Sequence, residues 1–364
     1  MENHAYTFIG YTGQEIERFE IPWDGEAPAP ESVRVIGPAV ETDRIRYMKE
    51  TRGVAPGDVK EVLVEDGLLK VWIEPATTRA DFTLVAGDKK ISRADFVIHT
   101  RTSDEKFERK EEGRVLYRLY TPKAEGPRPM ILFLHGGGNG GYEGERDNNK
   151  HIVTDYGPIN FAEDYPDIYV MAPMAVEARR DMRTFNPNRR FADSDSMNVP
   201  GYGWSRDYLA LVCDIIRRMV REGKVDGRRI YVTGMSMGGA GTIRAMSVGA
   251  DLFAACVPVC PSMTPETFSI LKSLKMPVWV ASAYIDHTLY RHKYLVDAVM
   301  YLRDHGNNNA HLTLYSPEEL EKYDISITPD LPYPRLFSEN HNSWVPTYKN
   351  EYGIMSWLLN QVRD

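Results

Sequence analysis

The chain has 364 residues, of which 42% are hydrophobic and 26% are charged, as in ordinary soluble proteins, and no apolar run is long enough to cross a bilayer. Its formal net charge of -8 at pH 7, with lysines and arginines scattered along the chain, disfavours nucleic acid as a partner. The length exceeds what one hydrophobic core usually organises, so we expect two domains. Because there is no long apolar run, we expect no membrane association.

The first part of the chain, residues 1–103, consists of short segments of alternating hydrophobicity separated by glycine, proline and aspartate. Examples are YTFIGYT, SVRVIG, VKEVLVEDGLLKVWIE, DFTLVAG and ADFVIHT. Because helical periodicity is hard to find there, these segments predict an all-β sandwich of immunoglobulin-like size. The charged stretch SDEKFERKEEG at 103–113 predicts a solvated connection to a second domain over 104–364.

From Arg114 onward, apolar strand-like runs alternate with helical ones. The strand-like runs are VLYRLY, PMILFLH, IYVMAP, RRIYVTG, FAACVPV, MPVWVAS and HLTLYS. Apolar residues three and four apart predict helices over DYLALVCDIIRRMVREGK, the stretch after Ser236, KYLVDAVMYLRDHG and YGIMSWLLNQV. The alternation predicts an α/β domain with a mainly parallel sheet and helices on both faces.

A G-x-S-x-G motif lies in IYVTGMSMGGAGTIRAM, where an apolar strand gives way to a helix. Such a turn strains the backbone of its serine and brings strand and helix so close that neighbouring side chains would collide. Gly234 and Gly238 remove that collision, so Ser236 is the predicted nucleophile. The alternative is a glycine-rich turn without chemistry, since the motif alone also arises by chance.

A second glycine cluster, HGGG at 135–138, ends the apolar run PMILFLH upstream of the serine. Backbone N–H groups fixed in such a loop stabilise the anion that forms on a carbonyl oxygen during acyl transfer. We expect Gly137, together with Gly136, to donate from this loop, and Met237 to donate from the residue after the nucleophile.

Gly136, Gly138 and Gly141 also match the G-x-G-x-x-G spacing of dinucleotide-binding loops. The residues that follow, YEGERDNNK, do not open an apolar amphipathic helix, so a pyrophosphate would have no helix N-terminus on which to bind. The oxyanion interpretation is therefore favoured, and no cofactor or metal is expected.

A serine hydroxyl needs a base, and after a serine turn of this kind the carboxylate and then the histidine follow in the chain. Among the five histidines beyond the serine, His341 alone follows the last predicted strand in a loop, from which its ring can reach the carboxyl edge of the sheet. The others lie beside predicted helices, strands or a carboxylate: His287, His292, His305 and His311. His341 is the predicted base, with a solvated loop histidine as the alternative.

Asp286 is the predicted carboxylate, because it ends PVWVASAYID and the loop after the penultimate strand can present it to the other nitrogen of the histidine ring. There it would orient the imidazole and stabilise its charged form. An N-cap role is the alternative for Asp286. Other candidate carboxylates are Asp324, Asp330 and Glu339.

Five segments, HGGG, GMSMGGAGT, DLFAACVPVC, PVWVASAYID and HNSWVPTY, resemble in order and spacing the esterase D, feruloyl-esterase and polyhydroxybutyrate-depolymerase-like branch of the α/β-hydrolases. The resemblance covers roughly residues 113–364 and implies Ser236, Asp286 and His341 as a triad; some relatives carry an N-terminal immunoglobulin-like domain. Relatives usually have a glycine-containing turn before the acid, where this chain has ASAY. The stretch 316–340 is longer than usual and predicts an extra wall of the pocket.

Residues 176–204 are irregular and rich in arginine, asparagine, phenylalanine and proline, as is typical of lids and binding loops. Tyr202 and Trp204 are candidates to stack on an aromatic acyl group, and the arginines are candidates to hold an acidic substrate. An ordinary surface loop is the alternative.

The cysteine content favours a reducing compartment, since Cys213, Cys256 and Cys260 are odd in number and show no metal-type spacing. Cys256 and Cys260 lie in the apolar run FAACVPVC, so we expect them to pack in the core. The first residues lack the basic and apolar regions of a secretory signal, although a trimmed secreted chain would read the same way. A cytoplasmic location is expected.

These features predict a serine hydrolase that cleaves carboxylic esters through an acyl-enzyme, with feruloyl, cinnamoyl or short-chain acyl esters as candidate substrates. Its expected partner is a small-molecule ester, and homo-oligomerisation is left open. Two alternatives are a serine peptidase with the same triad and a carbohydrate- or protein-binding module attached to a decayed hydrolase.

Overall fold

The described residues form two compact units, one within residues 2–100 and the other within residues 106–364. The computed structural model describes residues 2–10, 13–36, 39–43, 49–53, 59–77, 82–100, 106–137, 152, 156–175, 203–286, 291–323 and 340–364. Within these ranges, none of the helices combines the length and the apolar character needed to span a membrane.

The first unit is built from strands, as the sequence predicted. They are β1 (Asn3–Gly10), β2 (Gly13–Pro22), β3 (Arg34–Ile36), β4 (Ala39–Asp43), β5 (Lys49–Gly53), β6 (Val59–Glu65), β7 (Leu68–Thr77), β8 (Thr83–Ala86), β9 (Lys89–Ser92) and β10 (Phe96–Thr100). Their sheets have the orders β10-β1-β2-β7-β6, β3-β8-β9 and β4-β5. The pairing of β1 with β10 is parallel and the other pairings are antiparallel.

Alternate residues of the larger sheets meet in one core. Phe19 and Val71 of the five-stranded sheet are completely buried with Leu84 of the three-stranded sheet in the same cluster. The Phe19 ring lies 5.6 Å from that of Phe82 and 5.2 Å from that of Phe96, measured between centroids. The alternating hydrophobicity in the sequence therefore corresponds to strands with one buried face.

The second unit contains one eight-stranded sheet with the order β11-β12-β14-β13-β15-β16-β17-β18. Its strands are β11 (Phe107–Glu112), β12 (Val115–Tyr120), β13 (Arg128–Leu134), β14 (Tyr169–Pro173), β15 (Val225–Met235), β16 (Ala255–Val259), β17 (Val278–Ala283) and β18 (Ala310–Tyr315). Six neighbouring strands pair in parallel, namely β14, β13, β15, β16, β17 and β18. Strand β12 is antiparallel to both of its neighbours, β11 and β14. The prediction of a mainly parallel sheet is confirmed.

Eight α-helices accompany this sheet in the described residues. They are α1 (Pro158–Asp164), α2 (Arg206–Arg221), α3 (Met237–Val248), α4 (Pro265–Ser273), α5 (Arg291–Asp304), α6 (Pro317–Glu321), α7 (Trp344–Tyr348) and α8 (Ile354–Leu359). The four predicted helices correspond to α2, α3, α5 and α8, although α8 is shorter than its apolar pattern suggested.

Both faces of the sheet are covered by helices, which explains why its central strands are apolar throughout. On β13, Leu132 and Leu134 belong to a core that includes residues of α2, α3, α4 and α5. Phe133 points to the opposite face, where its ring contacts Phe161 of α1 and Tyr348 of α7 at centroid distances of 5.9 and 6.1 Å. Consecutive apolar residues are required where both faces of a strand are buried.

The charged stretch predicted as a solvated connection instead contains the edge strand β11. Phe107 is 2% exposed and packs on the Tyr120 ring, while most of the following charged side chains remain accessible. Glu112 at the end of the strand pairs with Arg218 of α2 at 2.6 Å. Charged side chains are compatible with an edge strand and discourage pairing with another sheet, so the expectation for 103–113 was wrong over Phe107–Glu112.

A buried cation lies between α3 and α4. The Arg244 side chain has no exposed surface, and its Nε donates a hydrogen bond of 3.0 Å to the Glu266 carboxylate. Its Nη1 and Nη2 atoms have no hydrogen-bond partner in the part of the chain that the structure describes. Burial lowers the pKa of the guanidinium although Glu266 opposes the shift. The carboxylate is therefore an important compensation for this buried charge.

We predict that Glu266→Ala lowers the free energy of unfolding by roughly 3 kcal/mol, because it leaves a buried cation without its counter-charge. Arg244→Met removes the charge itself and is expected to leave stability unchanged or to raise it. Urea denaturation followed by circular dichroism measures both. Equal destabilisation by the two variants would contradict this account of the pair.

Candidate active site

The predicted nucleophile, base and carboxylate meet at the carboxyl edge of the eight-stranded sheet. The His341 ring lies between the other two side chains, with Nε2 2.8 Å from Ser236 Oγ. Its Nδ1 is 2.9 and 3.1 Å from the two carboxylate oxygens of Asp286. His341 and Asp286 are almost completely buried, at 6% and 1% exposure. The three residues therefore form one hydrogen-bonded row that ends at the serine hydroxyl.

Ser236 occupies a strained turn between β15 and α3, with φ 57° and ψ -113°. Its N–H donates to the Val259 carbonyl at 2.9 Å, and its own carbonyl accepts from Ala240 at 3.1 Å and from Ser262 at 3.2 Å. A positive φ is unfavourable for a residue with a Cβ atom, and such strain persists only where surrounding contacts impose it. These bonds to β16, α3 and the loop after β16 hold the hydroxyl above the sheet edge.

The glycines of the motif are required by backbone contacts with β13. A Cβ atom on Gly238 would lie 1.8 Å from the Leu134 carbonyl oxygen and 2.6 Å from that of His135. A Cβ atom on Gly234 would lie 2.5 Å from the same Leu134 oxygen and 2.6 Å from the Gly238 oxygen. The close approach that the sequence predicted between β15 and α3 therefore also involves the neighbouring strand β13.

His341 lies in a short 3-10 turn, Asn340–Asn342, directly before α7. The Trp344 ring packs edge-on against the imidazole at a centroid distance of 5.7 Å. At the other end of α7, the Tyr348 hydroxyl is 3.1 Å from Thr233 Oγ1, which itself donates to the carbonyl of β16 residue Val257. Because Thr233 uses its hydrogen for that carbonyl, Tyr348 donates to Thr233 and anchors the helix that follows the imidazole.

Gly136 and Gly137 follow β13 beside the serine turn. A Cβ atom on Gly136 would lie 3.8 Å from Ser236 Cβ, so the loop passes directly alongside the nucleophile. Met237 is the first residue of α3, where a helix leaves N–H groups without an intrahelical acceptor. Gly136 and Met237, two of the predicted donors, thus lie next to Ser236. Gly138 and Gly141, needed for the alternative nucleotide spacing, lie outside the described residues.

No family model and no curated protein matches the sequence. Among solved structures, a thermostable esterase is 18% identical with a TM-score of 0.70, and the alignment covers 100% of both chains. Esterase 2 of Thermogutta terrifontis, phosphoramylated by tabun, is 13% identical over 59% of this chain and 84% of that chain, with a TM-score of 0.41. The fluorophosphonate-binding serine hydrolase FphF of Staphylococcus aureus is 12% identical over 70% and 98%, with a TM-score of 0.42.

The second unit has the α/β-hydrolase fold. This conclusion comes from the strand order and from the full-length similarity to the thermostable esterase. In an α/β-hydrolase the nucleophile follows a central strand, here β15, and the acid and histidine follow later strands. Asp286 after β17 and His341 after β18 have this order.

Burial and charge act in opposite directions on the His341 imidazole. Burial by itself lowers the pKa of the ring, but the Asp286 carboxylate and the Cys260 sulfur raise it, with the result that the pKa is about 9. Asp286 therefore favours the protonated form of the imidazole that arises when the ring accepts a proton.

Cys260 is a site residue whose position the sequence analysis missed. It directly follows β16, has a positive φ of 34° and donates its N–H to the Ala281 carbonyl at 2.7 Å. Its sulfur is one of the groups that raise the pKa of the His341 imidazole. Cys256 and Cys260 are both completely buried, as expected. The signal available in the sequence was the location of Cys260 just beyond the carboxyl end of a predicted strand.

The prediction that Trp204 stacks on a substrate was wrong. Its side chain is completely buried, and its indole N–H donates to the His135 carbonyl at 2.9 Å. A Cβ atom on Gly241 of α3 would lie 2.6 Å from the Trp204 ring, so the indole fits directly against the helix. Tyr202 and the arginines of 176–202 lie outside the described residues.

Of the alternative histidines, His292, His305 and His311 lie within the described residues. The His305 ring stacks on the Tyr301 ring with 3.7 Å between centroids. His311 lies on β18, where its Nε2 is 3.0 Å from the side-chain oxygen of Asn309. His292 lies on α5. Outside the described residues are His287, Asp324, Asp330 and Glu339.

We predict that Gly238→Ala destabilises the protein by roughly 4 kcal/mol or more, since the new methyl group would overlap the backbone of β13. Gly223→Ala is the matched control, because Gly223 has φ +72° with no atom within 4 Å of a built Cβ. Its expected cost is about 1 kcal/mol of backbone strain. Chemical denaturation gives both values, and similar midpoints for the two variants would disprove the close contact.

Proposed function

We propose that the protein is a serine carboxylesterase that acts through an acyl-enzyme intermediate. The supporting observation is the row Ser236 Oγ, His341 and Asp286 with separations of 2.8 and 2.9 Å. A nucleophile activated by a base that is oriented by a third group is the arrangement used for acyl transfer. The strained backbone at Ser236 and its position beside the 136–137 loop are further support.

In the first half of the proposed reaction, Ser236 Oγ attacks the ester carbonyl while His341 Nε2 takes the hydroxyl proton. The carbonyl oxygen becomes an anion that accepts hydrogen bonds from Gly137 and Met237, with Gly136 as a further donor. The tetrahedral intermediate then expels the alcohol, and the imidazolium returns the proton to its oxygen. The acyl group remains as an ester of Ser236.

In the second half, water attacks the acyl-enzyme and His341 takes a proton from it. Collapse of the second tetrahedral intermediate releases the acid, and the proton returns to Ser236 Oγ. Asp286 stays ionised throughout, holds the Nδ1–H of the ring and stabilises the imidazolium. Each step uses only protein groups, the ester and water.

The proposed substrates are small-molecule esters with short-chain, cinnamoyl or feruloyl acyl groups. Support for this finer assignment is the resemblance of the sequence to the esterase D and feruloyl-esterase branch. An immunoglobulin-like topology of the first unit is proposed on the same ground. The three cysteines are buried and are not joined in disulfides, which agrees with the proposed cytoplasmic location.

Labelling with a fluorophosphonate probe tests the nucleophile. We expect the parent protein to be labelled and Ser236→Ala to be unlabelled, with turnover of p-nitrophenyl acetate reduced by at least about 10⁴-fold. Ser247→Ala is the matched control, because Ser247 lies on the same helix and its hydroxyl donates within that helix to the Arg244 carbonyl. A folded parent that neither reacts with the probe nor cleaves the ester would refute the proposal. A chromogenic peptide cleaved faster than acetyl, butyryl and cinnamoyl esters would replace esterase with peptidase.

The pH dependence of kcat/KM tests the pair His341 and Asp286. The base works only when unprotonated, so its raised pKa moves the rising limb of the profile above pH 6.5, with an inflection near 9. In Asp286→Asn the burial remains and the charge is lost, so the inflection moves to lower pH while kcat falls by about 10⁴-fold.

Asp297→Asn serves as the control for that profile, because Asp297 is an exposed residue of α5. It should leave the inflection unchanged. An inflection that is the same in the parent and in Asp286→Asn would show that the carboxylate does not set the proton affinity of the base.

A further inference from the structure

The His135 imidazole joins the loop after β13 to the loop after β14. Its Nδ1 is 2.8 Å from the Gly136 carbonyl oxygen, and its Nε2 is 3.0 Å from the Ala175 amide nitrogen. The side chain is completely buried. His135 takes no part in the proton transfers proposed above, although it directly precedes the glycines that lie beside Ser236.

The two contacts determine which ring nitrogen carries the hydrogen. A backbone N–H can only donate, so Nε2 must be the unprotonated nitrogen that accepts from Ala175. Nδ1 must then carry the hydrogen and donate to Gly136. Burial lowers the pKa of His135 to about 4, so the ring remains neutral at neutral pH and keeps both bonds.

The bond to Gly136 has a consequence for the next amide. In a trans peptide the C=O and N–H groups point in opposite directions. The Gly136 carbonyl faces the buried imidazole, so the N–H of Gly137 points away from the ring. Gly137 is exposed, whereas Gly136 is buried against the serine turn. The direction of the Gly137 N–H is thus coupled to the position of the ring.

The ring itself is held from two sides. The indole of Trp204 donates to the His135 carbonyl at 2.9 Å and packs against the imidazole at a centroid distance of 4.8 Å. On the other side, the Tyr208 hydroxyl donates to the Met174 carbonyl at 2.9 Å, next to the amide that His135 accepts. Trp204, which lies just before α2, therefore supports the imidazole directly, and Tyr208 of α2 supports the peptide from which the imidazole accepts its hydrogen bond.

We propose that His135 is a positioning residue: by donating to the Gly136 carbonyl, its imidazole aims the Gly137 N–H at the oxyanion formed on Ser236. The inference rests on the proposed esterase function. It assigns Trp204 to the support of this imidazole instead of to the substrate, and it makes the neutral Nδ1–H tautomer a requirement for turnover.

Two substitutions separate the two hydrogen bonds of the ring. His135→Asn can place an amide N–H near the position of Nδ1, so it keeps a donor for Gly136 and loses the acceptor for Ala175. His135→Gln can place an amide oxygen near the position of Nε2, so it keeps the acceptor and loses the donor. The variants are therefore a matched pair in which only one retains the proposed function of the side chain.

We expect His135→Gln to lower kcat by about 10²-fold with little change in KM, which is the size of effect seen when an oxyanion donor is lost. Its affinity for a trifluoromethyl ketone, which forms an oxyanion on the serine, should fall by the same factor. His135→Asn should retain most of both. Equal losses in the two variants, or losses that follow their unfolding midpoints, would mean that the ring only stabilises the loops.

Nitrogen NMR of the parent protein tests the tautomer without any requirement that a variant folds. The His135 signals should show a protonated Nδ1 and an unprotonated Nε2, and the reverse tautomer would overturn the inference. Fluorophosphonate labelling of the same parent distinguishes failure of the positioning role of His135 from failure of the proposed esterase activity. A labelled, active parent with a fully active His135→Gln variant refutes only the positioning role, whereas an unlabelled and inactive parent refutes the esterase itself.

Discussion

The contact between the serine turn and the end of β13 is the constraint on which the rest of the site depends. The backbone of α3 begins so close to β13 that a Cβ atom on Gly238 would overlap the Leu134 carbonyl. This contact fixes the strained geometry of Ser236 on one side. On the other side it fixes the start of the loop that carries Gly136 and Gly137. One close approach therefore places both the nucleophile and the amides proposed to stabilise its oxyanion.

The parallel sheet extends this local contact into a complete site. In register, Leu134 of β13 pairs with Gly234 of β15, and Val259 of β16 pairs with Ala281 of β17. The loops beyond these strands consequently begin at one level, and side chains far apart in the sequence can meet there. The turn before α7 adds His341 to this group of side chains. The buried hydroxyl of Tyr348 on α7 bonds to Thr233 of β15 and so anchors that turn to the sheet.

Features encoded locally could be predicted from the sequence, and features that depend on register could not. The alternation of apolar strands and helices and the glycines around Ser236 are local, so the fold of the second unit and its serine turn were predictable. Five histidines follow the serine, and His341 could be chosen among them because it alone lies in a loop after the last predicted strand. Phe107 was assigned to a connection because its neighbours are charged, whereas its pairing with β12 makes it part of a strand. Trp204 was misassigned because only the folded chain shows that its indole is buried beside His135. The burial of Cys260 was predicted, but its effect on the His341 ring depends on the fold and was not.

Two buried histidines lie near Ser236, and their surroundings shift their pKa values in opposite directions. Burial lowers the pKa of His135 to about 4, and backbone groups hold its neutral ring. Burial also lowers the pKa of His341, but Asp286 and Cys260 together raise it to about 9. Two groups of the same type whose pKa values are shifted in opposite directions can serve different functions. His341 is suited to exchange a proton with Ser236, and His135 is suited to hold a backbone amide because it does not titrate near neutral pH. The same side chain can thus act as base or as support, and the neighbouring carboxylate decides between them.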